Sequence, residues 1–176
     1  MRKSSKARER KREQLYIATT AEVEGEGWWS DIQLMHCCLP QVSQDELDLS
    51  VEFCSYNFKY PFIISALTGG CEEAEAINRV LAGAAEKLGI GLELGSGRAL
   101  LEFPEVERTY SIARETAPDI FLAANIGAPQ LVNQSDNPAL TLDQIMRLIE
   151  VVKANALVIH KNLHWIPPSL LGGGKW

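Results

Sequence analysis

Residues 61–70 read Pro61-Phe-Ile-Ile-Ser-Ala-Leu-Thr-Gly-Gly70, a short apolar run closed by a Thr-Gly-Gly loop. The run is too short for a helix and suits a buried strand. Behind it, residues 72–88 set Ala74, Ile77, Leu81, Ala85 and Leu88 at helical spacing, with acids at the start, which predicts an amphipathic helix. Strand, Gly-rich loop and helix together make one βα unit.

The unit recurs. A second run, Gly89-Ile-Gly-Leu-Glu-Leu94, closes on Gly95-Ser-Gly-Arg98, and its helix is predicted to open at Pro104 and to end before Pro118. A third, Ile120-Phe-Leu-Ala-Ala-Asn125, leads through Ile126-Gly-Ala128 and a longer loop to Thr141-Leu-Asp-Gln144. That tetrad has the capping-box pattern, and Ile145, Leu148, Ile149 and Val152 follow on one helical face. The fourth run is Ala156-Leu-Val-Ile-His160. Apolar runs repeating every roughly 30–36 residues, each with its helix, feed a parallel sheet.

In every unit the polar or Gly-rich residues lie just past the C-terminal end of the strand: Thr68 to Gly70, Ser96 and Arg98, Asn125, then His160 and Asn162. Ligands bind at that end in both barrels and open α/β sheets. Glycines there admit a flat or anionic ligand close to the backbone N–H groups. Tight turns alone are the plainer account of any one loop, but four loops in step favour a site.

Upstream, Leu49-Ser-Val-Glu-Phe53 alternates apolar and polar residues and predicts a hairpin with its turn at Tyr56-Asn57. The start of the chain is different in kind. Residues 1–13 carry seven Lys or Arg against Glu9 and Glu13, a local charge of +5 on a chain of net −6, which leaves −11 for the rest. Residues 1–30 are therefore expected to be a basic, partly disordered arm, suited to reach over a pocket and hold a phosphorylated metabolite. Nucleic acid is not the expected partner, because the body has neither a basic stripe nor an aromatic-rich face.

The 176 residues, 46% hydrophobic and 23% charged, suit one ordinary globular domain. No apolar run approaches the ~20 residues of a membrane span, and no apolar stretch follows the basic start as in a secretory signal. Four cysteines without CxxC spacing (Cys37, Cys38, Cys54, Cys71) are expected to be reduced and mostly buried, in a cytoplasmic protein. The three histidines do not fall at zinc spacings.

Read in order, the loops resemble the type 2, flavin-dependent isopentenyl-diphosphate isomerase family. The resemblance runs over roughly residues 10–162 and rests on Arg10-Lys11, His36-Cys-Cys-Leu-Pro40, Ile64-Ser-Ala-Leu-Thr-Gly-Gly70, Gly95-Ser-Gly-Arg98, Ala124-Asn-Ile-Gly-Ala128 and Ile159-His-Lys-Asn162. It implies a (β/α)8 barrel that binds FMN and Mg2+, takes NADPH as flavin reductant, and interconverts isopentenyl and dimethylallyl diphosphate in isoprenoid biosynthesis. Ala66, Leu67 and Thr68 would lie against the flavin, with Ser96 and Asn125 hydrogen-bonding its ring. Arg10, Lys11, Ser96 and Arg98 would bind the substrate diphosphate, and His160 and Asn162 would be the catalytic residues beside the reacting allylic part. A diphosphate needs fixed cations, and in the family the reduced flavin is taken to move the proton across the double bond. Each role has a bland competitor: Arg98 as a surface ion-pair partner, Asn125 as a group satisfying a strand end, His160 as a structural histidine.

The chain also departs from the family pattern. Gln14 stands where the family has His, and Gly97 where it has Gln. After Asn162 the family continues Pro-Leu-Gln-Glu, with a Gln on substrate and a Glu on Mg2+; here Leu163 to Trp176 follows, with Pro167-Pro168 and Gly172-Gly-Gly174. The expected architecture is thus a truncated TIM (β/α)8 barrel of about four βα units. Residues 31–162 form the N-terminal half, with the arm before it and an irregular tail, 163–176, after it, as a frame shift would produce. FMN would lose the phosphate anchor that barrels place on their last strands, Mg2+ would lack its Glu, and the chain alone is expected to be inactive. The competing readings are a non-catalytic half-barrel assembly module, with homo-oligomer formation left open, and another FMN barrel akin to an α-hydroxy-acid oxidase.

Overall fold

The computed structural model describes residues 2–21, 28–66, 68–134 and 138–161. It is a mixed α/β structure. In chain order the elements are α1 (Arg2–Thr20), β1 (Val51–Phe53), β2 (Tyr56–Phe58), β3 (Ile63–Ile64), α2 (Glu73–Leu88), β4 (Gly91–Glu93), α3 (Arg98–Glu102), α4 (Arg108–Thr116), β5 (Leu122–Gly127), α5 (Leu142–Val152) and β6 (Ala156–His160). The strands β3-β4-β5-β6 form one sheet in sequence order, and every pairing is parallel. The four apolar runs are therefore four neighbouring strands, as the repeat predicts.

Each helix forms where its pattern and caps place it. Helix α2 buries Ala74, Asn78, Ala82 and Ala85 and stops at Gly89, whose φ of 68° is left-handed. Helix α5 opens on the Thr141–Gln144 capping box, with the Gln144 backbone N–H donating to Thr141 Oγ1 at 3.3 Å and Thr141 N–H to Gln144 Oε1 at 2.9 Å. The helix predicted to open at Pro104 is broken instead. Pro104–Val106 is a 3-10 turn, and α4 starts only at Arg108.

The two faces of the sheet differ. Leu92, Leu94, Leu122, Ala124 and Ile126 belong to a core closed by α2, α4 and α5, with Tyr110, Ala113 and Leu148 among its buried members. The alternate strand residues Phe121 and Ala123 point the other way, where Phe58 of the hairpin covers them together with Tyr56. Phe58 and Tyr56 stand 5.1 and 5.9 Å from the Phe121 ring, tilted against it, and Tyr56 Oη donates to the Asp119 carbonyl at 2.7 Å. A strand order without reversal, helices α2, α4 and α5 on one face and a hairpin on the other make a singly wound layer, unlike a doubly wound sheet. β3 and β6 are its edges among the described residues.

Two expectations are corrected. The hairpin turn is Cys54-Ser55, both at positive φ (51° and 58°), while Tyr56 and Asn57 are paired strand residues opposite Phe53 and Glu52. A two-residue loop of this kind usually carries Asn-Gly, so Cys-Ser gave no signal. Of the cysteines only Cys71 is buried; Cys37, Cys38 and Cys54 are exposed. They lie in the segment before β3, where Leu34, Met35 and Leu39 are exposed as well. The charged start is helical from Arg2 to Thr20.

Because Phe121 is 1% exposed and fills the space between sheet and hairpin, Phe121→Ala is expected to cost about 3–5 kcal/mol in denaturant unfolding. Phe53→Ala, at a ring position 52% exposed, should cost distinctly less.

Candidate functional site

The loops after β3, β4 and β5 are tied into one rim by their backbones. Gly95 N–H donates to the Thr68 carbonyl and Gly97 N–H to the Asn125 carbonyl, both at 2.7 Å. From beneath, the buried Tyr110 of α4 sends its hydroxyl to the Ser96 carbonyl at 2.8 Å. Burial pushes that phenol far above its ordinary value, so it stays a neutral donor. Its ring lies against Gly69, where a Cβ would fall 2.4 Å from the ring edge; the residue's φ of 149° also disfavours a side chain. The first loop is further held by a buried polar cluster. The Thr68 hydroxyl donates to Asn78 Oδ1, Asn78 Nδ2 to the Thr109 carbonyl at 2.8 Å, and Gly70 N–H to Thr109 Oγ1 at 3.1 Å.

On the sheet face away from the helices, period-two alternation carries the line Phe121, Ala123 forward to Asn125. Glu93 stands opposite Ala123 on β4, and Val158 opposite Asn125 on β6, so Glu93, Asn125 and His160 share this face at the strand ends. Asn125 joins the three, with its Nδ2 2.5 Å from a Glu93 carboxylate oxygen and its Oδ1 2.7 Å from His160 Nδ1. Ser96 lies alongside, its hydroxyl oxygen accepting from Gln130 Nε2 at 3.1 Å.

Of the expected site residues, Ser96, Asn125 and His160 are brought together. Ala66 is half-buried at the end of β3, next to that rim. Thr68 is buried, but its hydroxyl is spent on Asn78 rather than offered to a ligand. Arg98 is paired with Glu102 at 2.5 Å and lines a shallow cleft of about 170 Å³ with Gln130, Gln134 and Leu140. Leu67, Asn162 and the side chain of Arg10 lie outside the described residues. The Gly97 departure has a packing counterpart, since a Cβ at this position would meet the Leu148 side chain at 2.4 Å.

The basic arm reaches the same rim. Arg12 Nε pairs with Glu73 Oε1 at 2.7 Å, at the start of α2 and just past the Thr68–Gly70 loop. Lys11 contributes positive charge at Cys71, whose thiol is pushed up by burial. The Glu73 carboxyl is held below its ordinary 4.5 by its own backbone N–H first and by Arg12 second.

Sequence reasoning missed Glu93, Asn78, Tyr110 and Gln130. Two of them had a signal: Glu93 interrupts an apolar strand, and Asn78 interrupts the apolar face of α2. Among the described residues no group of three or more His, Cys, Asp or Glu could hold a metal ion, and no helix is long and apolar enough to cross a membrane.

No family model matches the chain. Individual relatives do. The chain is 44% identical over 154 residues to the isopentenyl-diphosphate delta-isomerase of Thermoplasma acidophilum, covering 87% of this chain and 44% of that enzyme. The isopentenyl-diphosphate delta-isomerase of Pyrococcus abyssi is 40% identical over 158 residues (87% and 42%), and that of Methanothermobacter thermautotrophicus 39% over 156 (88% and 42%). The chain resembles isopentenyl-diphosphate delta-isomerases and spans a little under half the length of these relatives.

Two outcomes follow for the rim. Gly69→Ala drives a methyl into Tyr110 and is expected to cost about 3 kcal/mol, read as a shift in the unfolding midpoint. A carboxyl held below its ordinary value stabilises the docked arm only while ionised. The Glu73 contribution should therefore be whole above pH 4.5 and fade as pH drops through the lower folded value. Limited proteolysis between residues 2 and 20 should quicken at acid pH or high salt, and Glu73→Gln should remove the acid step.

Proposed function

We propose that the chain carries one side of the active site of a type 2, FMN-dependent isopentenyl-diphosphate delta-isomerase, interconverting isopentenyl and dimethylallyl diphosphate in the cytoplasm. One observation supports this above the others. Ser96, Asn125 and His160, which come from three separate units, converge at the C-terminal end of a singly wound parallel sheet. That convergence occurs in a chain whose relatives carry the isomerase name. The proposal extends to a (β/α)8 barrel as the complete fold, with these four strands as its N-terminal half.

The residues present suit a flavin ring. Ser96 accepts from Gln130 and so keeps its own O–H to donate. Asn125 spends one N–H on Glu93 and one lone pair on His160, and keeps one of each for a planar ring with alternating donors and acceptors. Ala66 offers a small apolar contact at the β3 end. Bound and reduced by NADPH, the flavin would supply an acid/base group beside the substrate double bond. The chain's own part is to seat the diphosphate under Arg98, Lys11 and Arg10, and to exclude water around the allylic carbons with His160 and Asn162 beside them. Arg98 would exchange Glu102 for phosphate oxygens, a trade between a half-exposed surface pair and a charge-assisted fork. The Mg2+ implied by the resemblance enters no step, because no described residues gather around one.

The test is a chimera. Residues 1–162 are joined to the part of the Thermoplasma relative that follows its matched 154 residues. The expected protein is yellow, holds FMN and isomerises isopentenyl diphosphate once reduced, and Asn125→Ala lowers kcat/KM by on the order of 100-fold. The 176-residue chain by itself is expected to bind FMN weakly and to give no measurable turnover. A folded, flavin-loaded chimera that leaves isopentenyl diphosphate unchanged would sink the proposal.

A further inference from the structure

Glu93 belongs to none of the roles above, although it is the carboxylate in contact with the Asn125 amide. Its effect follows from what each group can donate. An ionised carboxylate only accepts, so the Asn125 atom 2.5 Å from it must be the amide nitrogen. The carbonyl oxygen of Asn125 then faces His160 Nδ1 at 2.7 Å, and a carbonyl oxygen only accepts as well. His160 must therefore carry a proton on Nδ1. In the neutral ring the remaining nitrogen, Nε2, bears a lone pair. That nitrogen lies against Gly127, 3.0 Å from where a Cβ would stand, and the Gln130 amide nitrogen, which donates to Ser96, lies 3.4 Å from the same point.

We infer that Glu93 is a positioning residue: by fixing the orientation of the Asn125 amide it holds neutral His160 as the Nδ1–H tautomer and presents Nε2 to the rim as a hydrogen-bond acceptor. The ligand group this suits is a donor, such as a ring N–H or a hydroxyl; a bare anionic oxygen would find no proton there. The inference deepens the isomerase reading by stating what His160 offers, and it relies on that reading only for the ligand's name. The same three strands that bring Asn125 and His160 together supply Glu93, so the relay is built into the sheet register.

The test is 15N NMR of the three histidine rings (His36, His160 and His164) in the full, ligand-free chain, at a pH where His160 is neutral. The Nδ1–H form of His160 should exceed the Nε2–H form by at least about tenfold, the worth of one hydrogen bond of about 1.4 kcal/mol. In Glu93→Gln the side-chain amide can face Asn125 either way round, and the preference should fall to about twofold or less. Finding His160 as Nε2–H, or an unchanged preference in Glu93→Gln, overturns the inference. If Glu93→Gln loses the folded amide spectrum, Glu93→Ala takes its place, and the wild-type tautomer alone can still refute the claim. No flavin or substrate enters the measurement, so its failure and that of the isomerase reading are separable.

Discussion

β5 has to be buried on both faces, and the rest of the structure is arranged around that need. Its Leu122, Ala124 and Ile126 pack into the helical layer, while Phe121, Ala123 and Asn125 face the other way. The first face is satisfied by α2, α4 and α5. Among the described residues the second is satisfied at its lower end by the hairpin aromatics, and at its upper end by Val158 and by the polar partners Glu93 and His160 of β4 and β6. A strand with a single buried face would tolerate a charged neighbour anywhere. Here Glu93 is acceptable because Asn125 meets it directly, which turns a packing problem into a site.

The rim is held together for a related reason. Its glycine-rich loops have little side-chain packing of their own, so their order comes from below. Tyr110 wedges against Gly69 and reaches Ser96, Thr109 and Asn78 hold the Thr68–Gly70 loop, and backbone bonds link each loop to the next. Buried polar clusters of this kind are stable only when every member is satisfied. The candidate site is thus the outer side of a hydrogen-bonded shelf whose inner side is core. The arm adds charge to that shelf through ion pairs with the start of α2, which salt can weaken without disturbing the sheet.

Much of this was legible in the residues. Short apolar runs, helical spacing, capping residues and Gly-rich loops identified four strands and the two longer helices around them, because those signals depend on local backbone preferences. The hairpin turn was misplaced because Cys54-Ser55 is not a usual left-handed pair. The helix expected from Pro104 was broken because a proline start does not guarantee the turns after it. The exposure of Cys37, Cys38 and Cys54 also eluded composition, which speaks of cysteines on average and not of a segment before β3.

Spacing over a few residues was enough to give the order of the units, the parallel sheet they build and the positions of the Gly-rich loops at the strand ends. Only the tertiary structure decided which polar groups meet. Glu93, Asn125 and His160 are separated by some thirty residues at each step, and only the register of β4, β5 and β6 brings them into hydrogen-bond contact. The same holds for Tyr110 beneath Gly69 and Ser96. Local pattern fixes which way a strand faces; contact between distant side chains depends on how neighbouring strands are staggered, and no single run of residues encodes that stagger.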